Sequence, residues 1–473
     1  MAYPHAINTL CKLFDYIGYT NRHTSSRLHK VKTIYSVCFH CLYITYLVSH
    51  FISTVTQSIR YLPEFLQRLV EDLAINSFYW ECTFYLINYA EIQTLVHRME
   101  KSFSTANQRT VESANRKATL TVVTFTILGT VALSGSILET YFPVSQQELD
   151  LLGYIYNRKF PQRRLVSTFW IPFIDESEAC YYQVLYVVEL YLLFYLLAMI
   201  VVSMSTIPLF IFYIESQYAI LGEFIEKIGH IHRDAQGNRI VYTDIVRNES
   251  VRVCEDRLRK DFSEDRLGKD FSEDRFSKDF NEDGLSKGVF EDKDFPLRKD
   301  LKRKAKLEEI YQEDYCRQIV KFHQMIVGFQ NQLFSTYKPY LLVKVLLNNG
   351  MLALCMYQAS TNPTDISPSR VFKLVSELVS IALEFFFICY CSERMDSCNA
   401  RLRSSATRVA WESVSPRVRK TMLVLLKMVG GGNHLALYCK SLVIGCRYYL
   451  DAVKLALSFA NFMRLQSSRK RLD

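Results

Sequence analysis

The sequence predicts an all-α integral membrane protein with seven transmembrane helices, and three observations lead to that prediction. The 473 residues could form several soluble domains, but the apolar residues are not spread as several small cores would need. They gather into blocks of roughly 20 residues, the length with which a helix crosses about 30 Å of hydrocarbon. These blocks are 34–56, 72–92, 118–140, 182–214, 337–359, 371–391 and 441–463. The other two observations are the placement of positive charge and the pattern of the last block.

Lys and Arg residues concentrate in alternate connections between the blocks, a bias that sets the orientation of membrane proteins. Segment 1–33 holds five, 93–117 holds five and 394–427 holds eight, so these three hold 18. The three short connections that alternate with them, 57–71, 141–181 and 360–370, hold 11 together with the C-terminal residues after the last block. The N-terminus is therefore expected in the cytoplasm, and seven spans then place the tail, 467–473, outside. The first block starts too far from Met1, without a cleavage site behind it, to be a removable signal peptide.

The last block carries its polar residues on one stripe of a helix. The stripe consists of Arg447, Asp451, Lys454, Ser458 and Asn461, at spacings of four, three, four and three. A helix surrounded by lipid has no use for a polar face, because ionisable groups in hydrocarbon are costly and normally face protein or water. The stripe therefore indicates either a water-filled path or packing against polar partners within a helix bundle, where its charged members could also pair with one another.

The blocks divide the chain into segments of different character. The connection between the fourth and fifth helices is unusually long, and its middle repeats KDFSEDRLG from 260 with decay until 295. One Phe per repeat among alternating charges cannot bury a core, so this part is expected to be unstructured or to serve as an interaction tail. The expected segments are the cytoplasmic N-terminus 1–33, helices one to four in 34–214, the cytoplasmic loop 215–336 with an amphipathic helix in 301–336, helices five and six in 337–391, a cytoplasmic anchor region of helix in 392–440, the seventh helix in 441–466 and the tail 467–473.

Three stretches, taken in order, resemble the insect odorant receptor family. The first runs from Tyr315 to Ser335 and holds a His323-Gln324 pair in an amphipathic helix before the fifth span. The second ends the sixth span with Ile388-Cys-Tyr-Cys-Ser-Glu393 and continues through Trp411, Pro416 and Arg419-Lys420. The third is the closing helix Tyr448 to Arg464. The chain departs from the family pattern where Gly430-Gly431-Gly432-Asn433 replaces the usual opening of the last span, and in the length of the loop 215–336.

The resemblance implies a function and its partners. It implies an odorant-specific subunit of a ligand-gated, non-selective cation channel, assembled with the family's coreceptor as a heterotetramer in the plasma membrane of olfactory neuron dendrites. It also implies that the last helix lines the pore. On that basis the pore residues are the stripe itself together with three residues near the outer end of the helix, Phe462, Leu465 and Gln466.

The family position of the odorant pocket lies between the second, third, fourth and sixth spans, towards the outer leaflet. Small volatile hydrophobic odorants require an apolar and aromatic pocket with a few orienting polar groups. The candidates from these spans are Asn76, Phe78, Tyr79, Trp80, Tyr141, Tyr182, Tyr186, Val375 and Val379. Each of them could instead belong to the interfacial aromatic belt or to core packing.

Several ionisable residues fall inside the predicted spans, where they must find partners. They are Glu81, Glu139, Glu189, Lys344, Glu377 and Glu384. On an antiparallel pair of the fifth and sixth helices, Lys344 and Glu384 come out at similar depth, which predicts a structural ion pair. Catalysis is disfavoured, because no nucleophile, base and orienting group fall at recognisable spacing and no phosphate loop or zinc pattern is present. We therefore expect no enzymatic activity, no cofactor and no metal. The expected partners are odorants, membrane lipids and the coreceptor, and no nucleic acid is expected among them.

Three alternative functions remain open at this stage. A G-protein-coupled receptor would place its N-terminus outside; moreover, no Asp-Arg-Tyr follows the third span, and Asn461 is followed by Phe462 rather than by Pro. A gustatory-receptor type of channel is disfavoured by the His-Gln pair and by the Trp, Pro and Arg-Lys succession. A membrane transporter would be expected to show repeat symmetry between its halves, which the sequence does not show.

Overall fold

The computed structural model describes residues 12, 26–252, 295–361, 368–437 and 442–469 of the chain. Most of them are helical. The α-helices are α1 (Ser26–Thr56), α2 (Leu62–Ser102), α3 (Gln108–Tyr141), α4 (Gln146–Tyr156), α5 (Ala179–Glu226), α6 (Phe295–Thr361), α7 (Pro368–Thr407), α8 (Pro416–Val429) and α9 (Cys446–Arg469). Short 3₁₀ helices span Ser58–Arg60 and Trp411–Ser413. The first 25 residues apart from Lys12, the repeat 260–294 and residues 470–473 lie outside the described residues.

The seven apolar blocks fall on α1, α2, α3, α5, α6, α7 and α9. The start of the last block differs from the start of the helix that contains it. The last block was expected to be helical from residue 441, but Leu442 and Val443 form strand β4 against strand β3 (Ala436–Leu437). The helix starts only at Cys446, after Gly445. An apolar run of three or four residues has no periodicity with which to distinguish a strand from a helix, so the sequence placed this start five residues too early.

Five of the described helices are long and apolar enough to cross a membrane, namely α1, α3, α5, α6 and α7. The helices α2 and α9 are also long, at 41 and 24 residues, but charged residues interrupt their apolar stretches. The protein is therefore a helical, multi-pass membrane protein. Seven spans and a cytoplasmic N-terminus stay predictions.

A belt of exposed apolar side chains on α1, α3 and the first half of α5 supports membrane insertion. Val37, Leu120 and Phe194 are each more than half exposed, and similar residues follow one another along these helices. Soluble proteins rarely expose a continuous apolar surface of this extent. The opposite faces of the same helices pack into the bundle, so the belt faces lipid.

Side-chain caps fix where several helices begin. Asn107 accepts a hydrogen bond from the Thr110 amide at 3.1 Å, and Ser145 accepts one from the Glu148 amide at 3.3 Å. Ser415 does the same for Val418 at 3.4 Å and precedes Pro416, a residue suited to the first turn because its missing amide proton would be unpaired there anyway. These caps separate α3, α4 and α8 from the loops before them.

The core of the molecule lies at one end of the bundle, around the second half of α5. Met199, Val202, Ile211, Tyr213 and Ile214 are fully buried there. Around them pack α2, the first half of α6, the end of α7 and α8. The predicted amphipathic segment and the fifth span form one helix, α6, whose apolar face over Ile319, Phe322, Ile326, Phe329 and Leu333 belongs to this core.

A β-hairpin follows α5 at this end of the bundle, and we call this end the hairpin end. Strands β1 (Ile240–Asp244) and β2 (Glu249–Arg252) pair antiparallel. The hairpin is attached through His232, whose Nδ1 lies 2.6 Å from the Tyr311 hydroxyl and whose Nε2 lies 3.0 Å from the Lys227 carbonyl oxygen. Burial lowers the pKa of His232 from its usual 6.5. The opposite end of the bundle carries α4, and we call it the α4 end.

Candidate functional site

A cavity of about 160 Å³ lies between α2, α3, α5 and α7. These helices correspond to the second, third, fourth and sixth predicted spans, where the resemblance placed an odorant pocket. Its apolar walls come mainly from α3 and α5, and ionisable side chains come from α2, α6 and α7. The lining residues are Tyr46, Val70, Glu71, Ala74, Ile75, Ser77, Phe78, Leu128, Gly129, Ala132, Leu133, Ser136, Val166, Ser167, Leu193, Leu196, Ile200, Met204, Lys344, Met351, Lys373, Glu377, Ser380, Ile381 and Glu384.

Helix α7 presents charged residues to the cavity because they recur at helical spacing. Lys373, Glu377 and Glu384 follow one another at intervals of four and seven residues, so they lie on one face. The apolar Val375 and Val379 lie two positions further along, about 200° around the helix from Lys373 and Glu377. They are 49% and 43% exposed. The face that is apolar in sequence is therefore directed away from the cavity.

Lys344 of α6 is fully buried at one side of the cavity and bridges two carboxylates. Its Nζ lies 2.7 Å from Glu384 Oε1 and forms a second, shorter contact with Glu81. The predicted pair between Lys344 and Glu384 is thus confirmed, and Glu81 is a third member that the sequence had listed without a partner. Phe78 stands over the same ammonium group at 5.4 Å from its ring centroid. Three helices, α2, α6 and α7, are held together here.

A second network of charges lies closer to the α4 end and is centred on Glu71. Its Oε2 accepts from Arg68 at 2.6 Å, and its Oε1 lies 2.7 Å from Lys373 Nζ. Lys373 also contacts Glu139 of α3 at 3.0 Å, and His50 of α1 lies 3.4 Å from Glu71. The network joins α1, α2, α3 and α7. It supplies the partly buried glutamate Glu139 with a partner that the sequence did not reveal.

Glu189 is satisfied in a different way, by the segment that precedes α5. It accepts from the backbone amides of Val166 at 2.9 Å and Ser167 at 2.8 Å. Glu189 thus ties α5 to residues 166–167, which form part of the cavity wall. A buried carboxylate with several donors belongs to the structural framework of the site.

Glu377 differs from the other four ionisable side chains that line the cavity. Those four, Glu71, Lys344, Lys373 and Glu384, each take part in an ion pair. Within the part of the chain that the structure describes, Glu377 forms neither a hydrogen bond nor an ion pair. It is partly buried and lines the cavity. The cavity therefore contains one carboxylate with free acceptor positions.

Among the nine predicted pocket residues, Phe78 alone lines this cavity. Asn76 and Trp80 are exposed on the outer side of α2, like Val375 and Val379 on α7. Tyr79 stacks on Tyr43 of α1, with ring centroids 5.3 Å apart. A contribution of these residues to ligand binding stays a prediction that the cavity geometry does not support.

The three remaining candidates form a tyrosine cluster near the α4 end. Tyr182 stacks on Tyr186 with ring centroids 5.8 Å apart, and the Tyr186 hydroxyl donates to the Tyr141 hydroxyl at 3.0 Å. Tyr141 is 69% exposed. This arrangement fits an interfacial aromatic belt, the alternative that the sequence left open.

The sequence missed Glu71 and Lys373 as members of the site, and a signal for them was present. The aromatic and aliphatic candidates on α2 and α7, chosen since odorants are apolar, lie with the exception of Phe78 on faces of these helices that do not line the cavity. The spacing of Lys373, Glu377 and Glu384 on one side of an apolar helix would have identified the inward face, because charges within a membrane helix normally face the interior of a bundle.

The polar stripe of α9 is the second candidate site. All five stripe residues are exposed, as are Phe462, Leu465 and Gln466. Lys454 Nζ and Asp451 Oδ1 are 4.0 Å apart at the surface. The stripe is therefore not buried against the described helices of its own chain.

The other face of α9 packs on α6 and α7. Ala456 and Ala460 are buried. The Tyr448 ring contacts the Phe385 ring, and its hydroxyl accepts a hydrogen bond from the Asn349 side-chain amide at 2.8 Å. Ala460 comes nine residues after Asp451, which places the two about 180° apart on the helix. The stripe thus lies diametrically opposite the face that attaches α9 to the molecule.

The sequence model of the 7tm Odorant receptor family matches residues 61–429. The chain belongs to this family. The structure of the insect olfactory receptor OR5 from Machilis hrabei is similar to this odorant receptor, with a TM-score of 0.63, 13% identity and coverage of 97% of each chain. The same receptor in complex with eugenol gives a TM-score of 0.65 at 13% identity, covering 98% of this chain and 99% of that one. At this identity the likeness shows the fold. A search of curated proteins finds no significant match.

Proposed function

We propose that this odorant receptor is the odorant-binding subunit of a heteromeric, ligand-gated cation channel formed with the family's coreceptor. The observation that carries the proposal is the position of the α9 stripe. Five polar residues on a membrane-length helix face away from every described helix of the chain, while the opposite face is packed. Since polar and charged groups are costly in lipid, this face requires water or other subunits.

The surroundings of the stripe favour a shared aqueous pore. Apolar side chains flank it on both sides, Leu450 and Leu457 on one and Leu455 and Phe459 on the other, and all are exposed. In a ring of subunits these flanks can pack against neighbouring copies or coreceptor subunits, leaving the stripe directed at the axis. Asp451 then attracts cations, because the screening length of about 8 Å at physiological ionic strength exceeds the radius of a narrow pore.

The 160 Å³ cavity is the proposed odorant site. It lies among four helices, and α7 connects it to the packed face of α9 through Phe385 and its contacts with Tyr448 and Tyr449. A ligand that moves α7 can therefore shift the helix that carries the stripe. The complex of the structurally similar OR5 with eugenol supports small organic odorants as ligands of this receptor.

Cysteine accessibility on α9 tests the proposal. Ser458→Cys and Asn461→Cys on the stripe, and Ala456→Cys and Ala460→Cys on the packed face, are expressed singly with the coreceptor in oocytes. A charged, water-soluble thiol reagent should change the odorant-evoked current of the stripe variants, and faster while odorant is present. The packed-face variants are the matched controls and should stay unmodified at equal surface expression.

Two outcomes would contradict the proposed function. Equal modification on both faces would mean that α9 is not held as the structure shows. Complete protection of Ser458→Cys and Asn461→Cys, with normal odorant currents, would mean that the stripe is buried between subunits and does not line the permeation path. Charge reversal by Asp451→Lys adds a second measurement, since it should lower calcium permeability relative to sodium.

A further inference from the structure

The charge of the cavity gives information about the class of odorant that it accepts. Three glutamates and two lysines line the cavity. Residues outside the lining that form ion pairs with them add two further glutamates and one arginine. This makes five carboxylates against three permanent cations. His50 adds one positive charge when it is protonated. The acidic groups are Glu71, Glu81, Glu139, Glu377 and Glu384, and the basic groups are Arg68, Lys344 and Lys373.

An excess of carboxylates away from bulk water is unfavourable unless something positive or a hydrogen-bond donor accompanies them. Both lysines are already engaged by two carboxylates each. The unused acceptor positions lie on acidic groups. Glu377 makes no hydrogen bond or ion pair with a described residue, and Lys373, one turn away on α7, attracts it only at longer range. The second carboxylate oxygen of the fully buried Glu81 makes no hydrogen bond with the described residues. What the cavity lacks is a donor.

We propose that the preferred ligand of this cavity is a small organic amine in its ammonium form, paired with Glu377. The inference rests on the proposed function, because it names the class of ligand for the same site. An ammonium group has three donors and no acceptor, which complements a free carboxylate. Ser380, one turn from Glu377 on α7, and Ser136 on α3 also line the cavity and offer hydroxyl oxygens to the remaining donors.

The rest of the cavity suits a compact apolar body. Leu128, Leu133, Leu193, Leu196 and Ile200 line it from α3 and α5. A dry cavity of about 150 Å³ with similar walls is known to accept benzene, so a volume of about 160 Å³ suits a single ring with a one-carbon arm. Benzylamine has this size and chemistry. Carboxylic acids are disfavoured, because a second anion would meet Glu377 and find both lysines occupied.

The test compares three ligands of matched shape on the purified full-length chain in detergent. Heat stability is measured against increasing benzylamine, benzyl alcohol and benzoate, since a ligand that binds the folded state stabilises it in proportion to the logarithm of its concentration over Kd. Benzylamine should protect at a concentration about tenfold to a hundredfold lower than benzyl alcohol, as expected for a hydrogen bond to a charged group. Benzoate should not protect.

Three variants assign the preference to Glu377. Glu377→Gln should reduce the apparent affinity for benzylamine about tenfold or more and that for benzyl alcohol much less, since the amide oxygen of Gln still accepts from a hydroxyl but carries no charge. Glu377→Asp keeps the charge and should restore part of the preference. Glu100→Gln, on the exposed end of α2, removes a glutamate charge away from the cavity and should behave as wild type.

The same ligands are then applied to oocytes that express the receptor with the coreceptor. Equal protection by benzylamine and benzyl alcohol in the wild type, or an amine preference that survives in Glu377→Gln, would overturn the inference. If other odorants still evoke currents in that case, the amine inference fails while the proposed channel function remains supported. Conversely, amine binding to the purified chain without any odorant-evoked current would support the inference and contradict the proposed channel function.

Discussion

Replacing Lys344 by Met should destabilise the fold more than any single change at the surface. The side chain is 1% exposed, and Glu81 and Glu384 beside it are nearly as buried. Met fills a similar volume but leaves two carboxylates without their shared cation. Removing one partner of a buried pair typically costs about 3 to 5 kcal/mol, because the other charge stays buried without compensation.

This cost converts into a measurable change of melting temperature. A loss of 1 kcal/mol lowers the midpoint by about 2 to 4 °C in a chain of 150–250 residues. On a chain about twice that length, the shift is roughly half as large per kcal/mol, so Lys344→Met should lower the midpoint by roughly 3 to 10 °C. The assay follows the loss of monodisperse protein in detergent after heating.

The matched control removes the charges together. Lys344→Met combined with Glu81→Met and Glu384→Met leaves no unpaired ion, and replacing a whole buried ion cluster by apolar residues of similar volume is often neutral or stabilising. The triple variant should therefore recover most of the loss. If Lys344→Met alone melts like wild type, or if the triple variant is less stable than the single one, the buried triad does not join α2, α6 and α7 as described.

Further predictions concern the cavity, the hairpin, the repeat and the orientation. Phe78→Ala should reorder potencies within a homologous odorant series, since one methylene is worth about 1 to 3 kcal/mol in an apolar pocket, whereas Tyr79→Ala outside the cavity should change all potencies by one common factor or not at all; dose-response curves decide. Because burial lowers the pKa of His232, the folded chain holds its proton less tightly than the unfolded chain, so hydrogen-exchange protection of β1 and β2 should fall as the pH drops below about 6.5, and His232→Gln should remove this dependence. Deletion of 260–294 should leave odorant currents within a few fold, as added loop length costs little closure entropy; complete loss at normal surface expression would contradict this. An N-terminal epitope should be stained only after the cells are permeabilised, and a C-terminal epitope should be stained on intact cells. The reverse pattern would refute the predicted orientation.

The amino-acid sequence by itself determined the class of protein and the path of its helices. Blocks of apolar residues as long as a membrane is thick have few other uses, so the positions of the long helices could be predicted from local composition. The polar stripe on α9 could also be predicted, because a face depends only on helical spacing within one segment. The pairing of Lys344 with Glu384 needed one further assumption, an antiparallel arrangement of α6 and α7.

Only the tertiary structure decided what each face contacts. Sequence spacing shows that α7 has a charged side and an apolar side, but which side meets α2 and α3 depends on the packing of several helices at once. Glu81 joined Lys344, and Glu71 joined Lys373, across more than 260 residues of chain. No local pattern in the sequence encodes such distances.

The same limit explains the choice of pocket residues. An apolar ligand led us to expect an apolar lining, so Val375, Val379 and Trp80 were selected and Glu377 was treated as a buried charge to be placed elsewhere. In a membrane the rule for soluble cores is partly reversed: lipid receives the apolar faces, and the interior of the bundle receives the charges, because only there can they be paired. The cavity acquired its acidic character from this partition between lipid and protein, which becomes visible only when the helices are assembled.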